Sequence, residues 1–86
     1  TAPSFKQYRE KDGQFYFKLV DAQGLLILQS KGFASPKEAG QTIARLQTDG
    51  IASLPDLNHV LVPLTPDQEP LLAQALEYLS NSTKNI

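Results

Sequence analysis

The chain has 86 residues, of which 41% are hydrophobic and 20% are charged, and it contains no cysteine. A chain this short buries only roughly 60–65% of the surface of its unfolded state, so we expect a single domain over residues 1–86 with a small core. Its longest apolar run covers residues 25–28, which is far too short to cross a membrane. The lack of cysteine excludes disulfide bonds and thiolate zinc sites and fits a reducing compartment, so we expect a cytoplasmic protein without membrane association.

The start of the chain indicates a longer parent protein. It begins with Thr1, contains no methionine, and lacks the basic and apolar regions of a secretory signal. We therefore expect a fragment excised from a longer protein, with a processed chain as the alternative.

The net charge of −1 is unevenly distributed along the chain. Residues 1–37 carry six basic and three acidic side chains, whereas residues 38–86 carry two basic and six acidic ones. This division suggests that the first half faces a polyanion. The other interpretation is that two solvated faces happen to segregate by charge.

The first two strands are predicted by an alternating pattern. Aromatic and apolar residues alternate with polar ones from Phe15 to Leu19, which is the period of a strand with one buried face. The preceding residues 4–10 are expected to pair with this strand across a three-residue turn at residues 11–13. Gly13 supplies the left-handed conformation that such a turn requires.

The length of this turn decides which side chains share a face. A two-residue turn would place Lys6 opposite Leu19 on the core face, so we predict the three-residue turn. That register pairs Lys6 with Lys18, and Tyr8 with Tyr16, on the face away from the core. Like charges directly opposite each other cost up to roughly 1 kcal/mol, which suggests that the hairpin uses these lysines.

A third strand and a helix follow. Residues 25–30 form the strand, with Leu26 and Leu28 on its core face. Ser35 opens a capping box that ends at Glu38 and predicts the start of a helix, and Gly50 provides the stop.

The buried stripe of this helix is expected at Ala39, Ile43 and Leu46. Gly40 lies inside the helix, where it costs up to about 1 kcal/mol relative to alanine. Its presence predicts close packing of the helix on the sheet.

The second half is predicted less sharply. Residues 51–58 are expected to form a loop and residues 59–64 a short edge strand ended by Pro63. Thr65 and Asp67 are both candidate N-caps of a second helix. Asp67 is favoured, because Pro70 then falls in the first turn, where its missing N–H is harmless, whereas a cap at Thr65 would make Pro70 remove a helical hydrogen bond. The tail at residues 80–86 is expected to fray. The apolar face of this helix comprises Leu72, Ala75, Leu76 and Leu79, widened by Leu71 and Tyr78.

The predicted fold is therefore α+β: an antiparallel sheet of three to four strands with two helices packed on one face. Residues 4–50 form a strand-strand-strand-helix unit, and residues 51–86 add a loop, a short strand and the C-terminal helix. The core under the helices is expected to comprise Phe15, Phe17, Leu19, Leu26 and Leu28.

No set of residues points to catalysis. His59 is the only histidine, the glycines form no phosphate-binding string, and no carboxylates stand at metal-ligand spacing. We therefore predict no catalytic residue, no metal site and no cofactor in this chain.

The surface that could bind a ligand is the patch of Lys6, Tyr8, Tyr16 and Lys18. Exposed aromatic rings offer stacking surfaces to unpaired bases, and lysines offer phosphate contacts. A protein contact fits the same residues, and so does an ordinary solvated strand surface.

Residues 8–46 resemble the small YegP-like domain family, whose pattern is an aromatic strand, a K-D-G turn, a second aromatic strand, an apolar strand and a capped helix. That resemblance implies the fold but no catalytic residues. Stand-alone members often duplicate the unit, whereas residues 51–86 do not repeat it. The matching residues are Asp12, Gly13, Phe15, Phe17, Leu19, Gly24, Ser30, Gly32, Phe33, Ser35, Ala39, Gly40 and Ile43.

The same string is similar to a segment appended to the carboxyl end of some bacterial tryptophanyl-tRNA synthetases. This resemblance implies a non-catalytic accessory domain that aids tRNA binding or assembly with the parent's other domains. The adenylation signatures H-I-G-H and K-M-S-K-S do not occur in this chain, so an ATP-dependent ligation would be carried out elsewhere in the parent. The alternative is a freestanding protein-interaction module.

Overall fold

The computed structural model describes residues 2–84, with side chains described up to Asn81. Three strands, β1 (Ser4–Arg9), β2 (Phe15–Val20) and β3 (Leu26–Gln29), form one antiparallel sheet in the order β1-β2-β3. Helix α1 (Pro36–Asp49) and the C-terminal helix, Gln68–Lys84, both contact this sheet. The predicted α+β class is confirmed.

The first hairpin has the predicted register. Lys6 pairs with Lys18, and Tyr8 with Tyr16. The turn is closed by a hydrogen bond from the Gly13 N–H to the Glu10 carbonyl at 3.0 Å, with Gly13 at a φ of 80°. Only glycine adopts this conformation at little cost, so the turn residue fixes the register of the first hairpin.

Strand β3 contains a bulge that the alternating pattern did not predict. Leu19 pairs with Leu28 and Val20 with Leu26, so Ile27 is an extra residue between them. Both Ile27 and Leu28 are buried, whereas Leu26 is 38% exposed on the outer face. The prediction that Leu26 lies in the core is wrong, because a bulge reverses the alternation of faces beyond it.

The first helix begins and ends where the sequence predicts. The Glu38 N–H donates to the Ser35 hydroxyl at 3.3 Å, and the Glu38 carboxylate accepts from the N–H of Ala34, one residue before the cap. At the other end, the Gly50 N–H donates to the Leu46 carbonyl. Buried on the inner stripe are Ala39, Ile43 and Leu46, as predicted.

The segment between the two long helices is more helical than predicted. Gly50–Ser53 forms a 3₁₀ turn, Leu54–Leu57 forms the single-turn helix α2, and Asn58–Val60 forms a second 3₁₀ turn. The predicted edge strand over residues 59–64 is reduced to one bridge between Leu61 and Ser30. Proline at position 63 cannot donate to a ladder, which stops the strand from extending.

The C-terminal helix, α3 (Gln68–Lys84), starts directly after Asp67, so Pro70 lies in its first turn. The Gln68 side chain accepts a hydrogen bond from the Thr65 N–H at 2.9 Å, so the back-bond of a capping box runs to Thr65 rather than to the predicted cap, Asp67. The predicted fraying is not seen from Ser80 to Lys84, which are helical, and residues 85–86 lie outside the described part of the chain. Leu71 and Tyr78 do not widen the buried face, because they are 37% and 51% exposed.

The core lies between the sheet and the two long helices. Phe17 is fully buried and packs edge-on against Phe5 and nearly parallel to Phe33. Phe15, which was expected in this core, is half-buried at its margin, beside the Arg9 guanidinium. The core cluster comprises Phe17, Leu19, Ile27, Leu28, Phe33, Ala39, Ile43, Leu46, Leu61, Leu72, Ala75 and Leu76.

Candidate nucleic-acid interface

The four predicted site residues lie together on the outer face of the β1–β2 hairpin. Lys6 is exposed, and Tyr8, Tyr16 and Lys18 are half-buried. Because side chains alternate across a strand, the neighbours Phe17 and Leu19 point to the opposite face, under the helices. We call these four residues the tyrosine–lysine patch.

The two tyrosines are stacked on each other. Their ring centroids are 5.6 Å apart and the ring planes differ by 12°. The Lys18 ammonium lies 5.6 Å from the centroid of the Tyr8 ring, within reach of a cation–π interaction. The patch therefore consists of a preformed aromatic stack with positive charge beside it.

Asp12 holds the hydroxyl of Tyr16. The Tyr16 O–H donates a short hydrogen bond to the Asp12 carboxylate, and the same carboxylate accepts from the N–H of Gln14. The bond from Tyr16 lowers the pKa of Asp12, with a smaller contribution from the Gln14 N–H. The carboxylate in turn raises the pKa of Tyr16 to about 12. The Tyr16 hydroxyl therefore remains the donor of this bond well above neutral pH.

A glutamine from β3 completes the patch. The amide of Gln29 donates to the Tyr8 hydroxyl at 3.2 Å. Sequence reasoning missed both Gln29 and Asp12 as members of this surface. The register would have found Gln29, since it pairs with Lys18, and Asp12 precedes Tyr16 by only four residues across the turn.

His59 lies apart from this surface. It is exposed in the 3₁₀ turn at Asn58–Val60. Among residues 2–84, no group of three or more histidine, cysteine or acidic side chains could hold a metal ion. Over the same residues, no helix is both long and apolar enough to span a bilayer.

A second candidate surface is an apolar groove between α2, α3 and the extended segment at residues 61–64. Its volume is about 680 Å³, within the range typical of ligand sites. Leu28 is buried on its sheet side, while Ile51 and Val62 are 44% and 40% exposed. We call this feature the α2–α3 groove. Its lining comprises Leu28, Ile51, Leu54, Pro55, Asn58, Leu61, Val62, Pro63, Leu64, Glu69, Leu72 and Ala73.

One wall of the groove is tied to α1 by ion pairs. The Arg45 guanidinium bonds Asp49 on its own helix at 3.0 Å and Asp56 on α2 at 2.8 Å. These two carboxylates, Asp56 foremost, raise the pKa of Arg45, so the guanidinium is charged throughout the accessible pH range. Solvent screens exposed pairs of this kind, so they orient α2 more than they stabilise the fold.

Several tryptophan–tRNA ligases are similar to this chain over a short region. The ligase of Xanthomonas axonopodis pv. citri is 69% identical over 51 residues, which is 59% of this chain and 12% of that protein. The Xylella fastidiosa (strain 9a5c) ligase is 67% identical over 42 residues, 49% of this chain and 10% of the ligase. The Pseudomonas putida ligase is 40% identical over 50 residues, 58% of this chain and 11% of the ligase. The chain thus spans about a tenth of the length of the curated relatives it matches.

A family profile matches residues 10–53, which contain the first turn, β2, β3 and the whole of α1 but not β1. No solved structure matches the chain significantly. The match covers half of the chain and includes the K-D-G turn and the capped helix on which the resemblance was based. The chain therefore belongs to the family described as domain of unknown function (DUF1508).

Proposed function

We propose that this chain is a non-catalytic accessory domain of a tryptophan–tRNA ligase, at the carboxyl end of the parent enzyme in the cytoplasm, and that it aids tRNA binding. The observation that carries the proposal is the 69% identity to such a ligase over 51 residues. Identity this high in a segment without catalytic motifs supports a role that serves the parent enzyme. Adenylation and transfer belong to the rest of the parent.

The tyrosine–lysine patch is the surface proposed to contact tRNA. Lys6 and Lys18 are adjacent across the hairpin and can contact neighbouring phosphates of one backbone. A base adds to the existing stack of Tyr8 and Tyr16, and stacking of this kind contributes about 1–3 kcal/mol per base. Unpaired nucleotides are favoured, because bases inside a duplex present no free ring face.

Titration of labelled tRNA with the 86-residue chain tests the lysines. Binding is expected to be weak and to fall with salt at about −0.7 to −0.9 per phosphate contact on logarithmic axes. Lys6→Ala and Lys18→Ala should each flatten that slope by about one contact. Lys37→Ala is the matched control, because Lys37 is exposed on α1 at the helical side of the sheet. If Lys37→Ala flattened the slope equally, binding would depend on the net charge of the chain and not on the position of Lys6 and Lys18.

The tyrosines are tested by comparing single-stranded RNA with duplex RNA. Tyr8→Ala with Tyr16→Ala should weaken single-stranded binding more than duplex binding, because only unpaired bases stack. Tyr78→Ala on α3 is the control, since Tyr78 is an exposed tyrosine off the patch. If the amide shifts of residues 4–20 do not move at the highest tRNA concentration, the proposed RNA contact is refuted.

The second candidate function is a protein contact, either with the parent's other domains or as a freestanding interaction module. The α2–α3 groove favours it, because exposed apolar side chains in a concave site typically mark such contacts. In the titration above, this candidate is supported if a protein partner shifts the groove amides while tRNA shifts none.

A further inference from the structure

The α2–α3 groove lies largely outside the part of the chain that the family profile covers. Of its lining residues, only Leu28 and Ile51 fall within residues 10–53. Most of the groove is therefore built by the segment that follows the profile match. The groove is also a different surface from the tyrosine–lysine patch, which lies on the outer face of the sheet.

We propose that the α2–α3 groove docks an amphipathic helix of another protein domain, with an apolar stripe facing the groove and lysine or arginine side chains flanking that stripe. An amphipathic helix inserts apolar side chains at i, i+3 or i+4, and i+7 into such a groove. This proposal rests on the second candidate function, the protein contact, and names the class of partner. It is independent of tRNA binding, because it requires no RNA and uses a different surface.

The backbone at the lip of the groove favours a helix over an added strand. The Val62 N–H already donates to the Gln29 carbonyl at 2.9 Å, and the Leu61 N–H donates to the Asn58 carbonyl at 3.2 Å. The next residue, Pro63, has no N–H. Residues 61–63 therefore offer no free N–H to an incoming strand, which favours a partner that binds through its side chains.

The charges at the groove favour a basic partner. Among the described residues of the lining, Glu69 is the one charged side chain, and none is lysine or arginine. Asp67 is exposed just before α3, at the same end of the helix as Glu69. Positive charge flanking an apolar stripe complements these carboxylates, whereas an acidic helix would be repelled.

Within the side chains that the structure describes, a second copy of this chain does not supply such a helix. The exposed face of α1 carries Lys37, Gln41 and Arg45 but no large apolar side chain. On α3, the exposed apolar residues are Leu71 and Tyr78, and their neighbours Glu69 and Glu77 are acidic, so this face would meet Glu69 of the groove with like charge.

The test uses a labelled synthetic helix of about 18 residues, long enough to be helical when bound, with leucines on one stripe and lysines on the other face. It should bind the 86-residue chain and shift the amides of residues 51–73. One control peptide has the same composition with the leucines redistributed around the helix. The other carries glutamate in place of lysine. Both should bind at least about tenfold more weakly, a difference of about 1.4 kcal/mol.

Groove variants establish where the peptide binds. Ile51→Glu and Val62→Glu place a charge at partly exposed positions of the lining, so they should leave the fold intact and weaken binding by about tenfold or more. Leu25→Glu is the matched control, because Leu25 is 56% exposed near the β2–β3 turn and is not part of the lining. The Leu25→Glu variant should bind the peptide as tightly as the unsubstituted chain does.

Four results would overturn the proposal: no binding of the leucine–lysine helix, amide shifts confined to residues 4–20, equal loss in Leu25→Glu, or equal binding of the glutamate peptide. Concentration-dependent self-association abolished by Val62→Glu would assign the groove to a second copy instead. None of these results depends on tRNA, so the groove proposal and the tRNA proposal can fail separately.

Discussion

The Ser30 hydroxyl accepts a hydrogen bond from the backbone N–H of Phe17 at 2.9 Å, and the Ser30 N–H returns a bond to the Phe17 carbonyl at the same distance. Both residues are at most 2% exposed. The serine side chain thus serves as an acceptor in the ladder just beyond the last residue of β3. The two bonds join the middle of β2 to Ser30, and Ser30 also forms a bridge with Leu61.

Ser30→Ala should destabilise the domain by about 1–3 kcal/mol. The substitution removes the hydroxyl and leaves the buried Phe17 N–H without its acceptor, and the desolvation of an unpaired donor is the main cost. Urea unfolding followed by circular dichroism gives the free energy of unfolding. A loss below about 0.5 kcal/mol would mean that another acceptor or a water replaces the hydroxyl.

Phe17→Ala should cost about 3–5 kcal/mol, which is enough to unfold much of a domain of this size. Phe17 is fully buried between Phe5 and Phe33, at ring-centroid distances of 5.8 Å and 6.0 Å. Phe15→Ala is the matched control, because Phe15 is half-buried on the same strand and should cost clearly less. Equal losses at the two positions would contradict the assignment of Phe17 to the centre of the core.

The sequence predicts the register of the first hairpin because a strong alternation and one glycine act together. Only a three-residue turn that ends at Gly13 keeps Lys6 off the core face, and the register then brings the patch together. The inner stripe of α1 follows from the same kind of periodic pattern. The hairpin register and the buried stripe of α1 are both set by residues close together in the sequence, which is why the sequence pattern predicts them.

Two features of the fold could not be predicted in this way. The bulge at Ile27 depends on how the end of β3 packs, and no glycine marks it, so the alternating pattern placed Leu26 on the wrong face. The helical turns between residues 50 and 60 are short and lack a periodic apolar stripe. The α2–α3 groove is formed by those turns and α3 together, so no local sequence pattern indicated it.

Gly40→Ala should stabilise the domain by about 0.5–1 kcal/mol. Sequence reasoning predicted close packing at this helical glycine, but a Cβ there would meet only the Gln7 amide nitrogen at 4.0 Å. Alanine loses less backbone entropy on folding and fits the space. Thermal or urea unfolding gives the sign of the change.

The contrasting substitution is Gly50→Ala at the end of α1. A Cβ there has open space, but the backbone has a φ of 62°, which side chains rarely adopt. Gly50→Ala should therefore destabilise the domain while Gly40→Ala stabilises it. If both substitutions destabilised, the space beside Gly40 would be smaller than the structure indicates.

The bond between Tyr16 and Asp12 should be visible in two titrations. The pKa of Tyr16 is raised from its ordinary 10.0 to about 12, chiefly by the hydrogen bond to Asp12. Its contribution to stability is therefore complete below pH 10 and lost as the pH rises towards 12. The pKa of Asp12 is lowered from its ordinary 3.8, so its contribution is present above that pH and is lost as the pH falls through the lowered value.

Asp12→Asn should return the pKa of Tyr16 towards 10.0, and Tyr16→Phe should return the pKa of Asp12 towards 3.8, because each substitution removes the charged bond. The carbon shifts of the Tyr16 ring and the Asp12 carboxyl group, measured by NMR, report each site separately. Tyr78→Phe, on α3, should change neither value. Circular dichroism at each pH ensures that the folded state is observed. An Asp12 pKa that does not respond to Tyr16→Phe would show that the phenol and the carboxylate are not bonded, and that the turn does not hold this ring of the tyrosine–lysine patch.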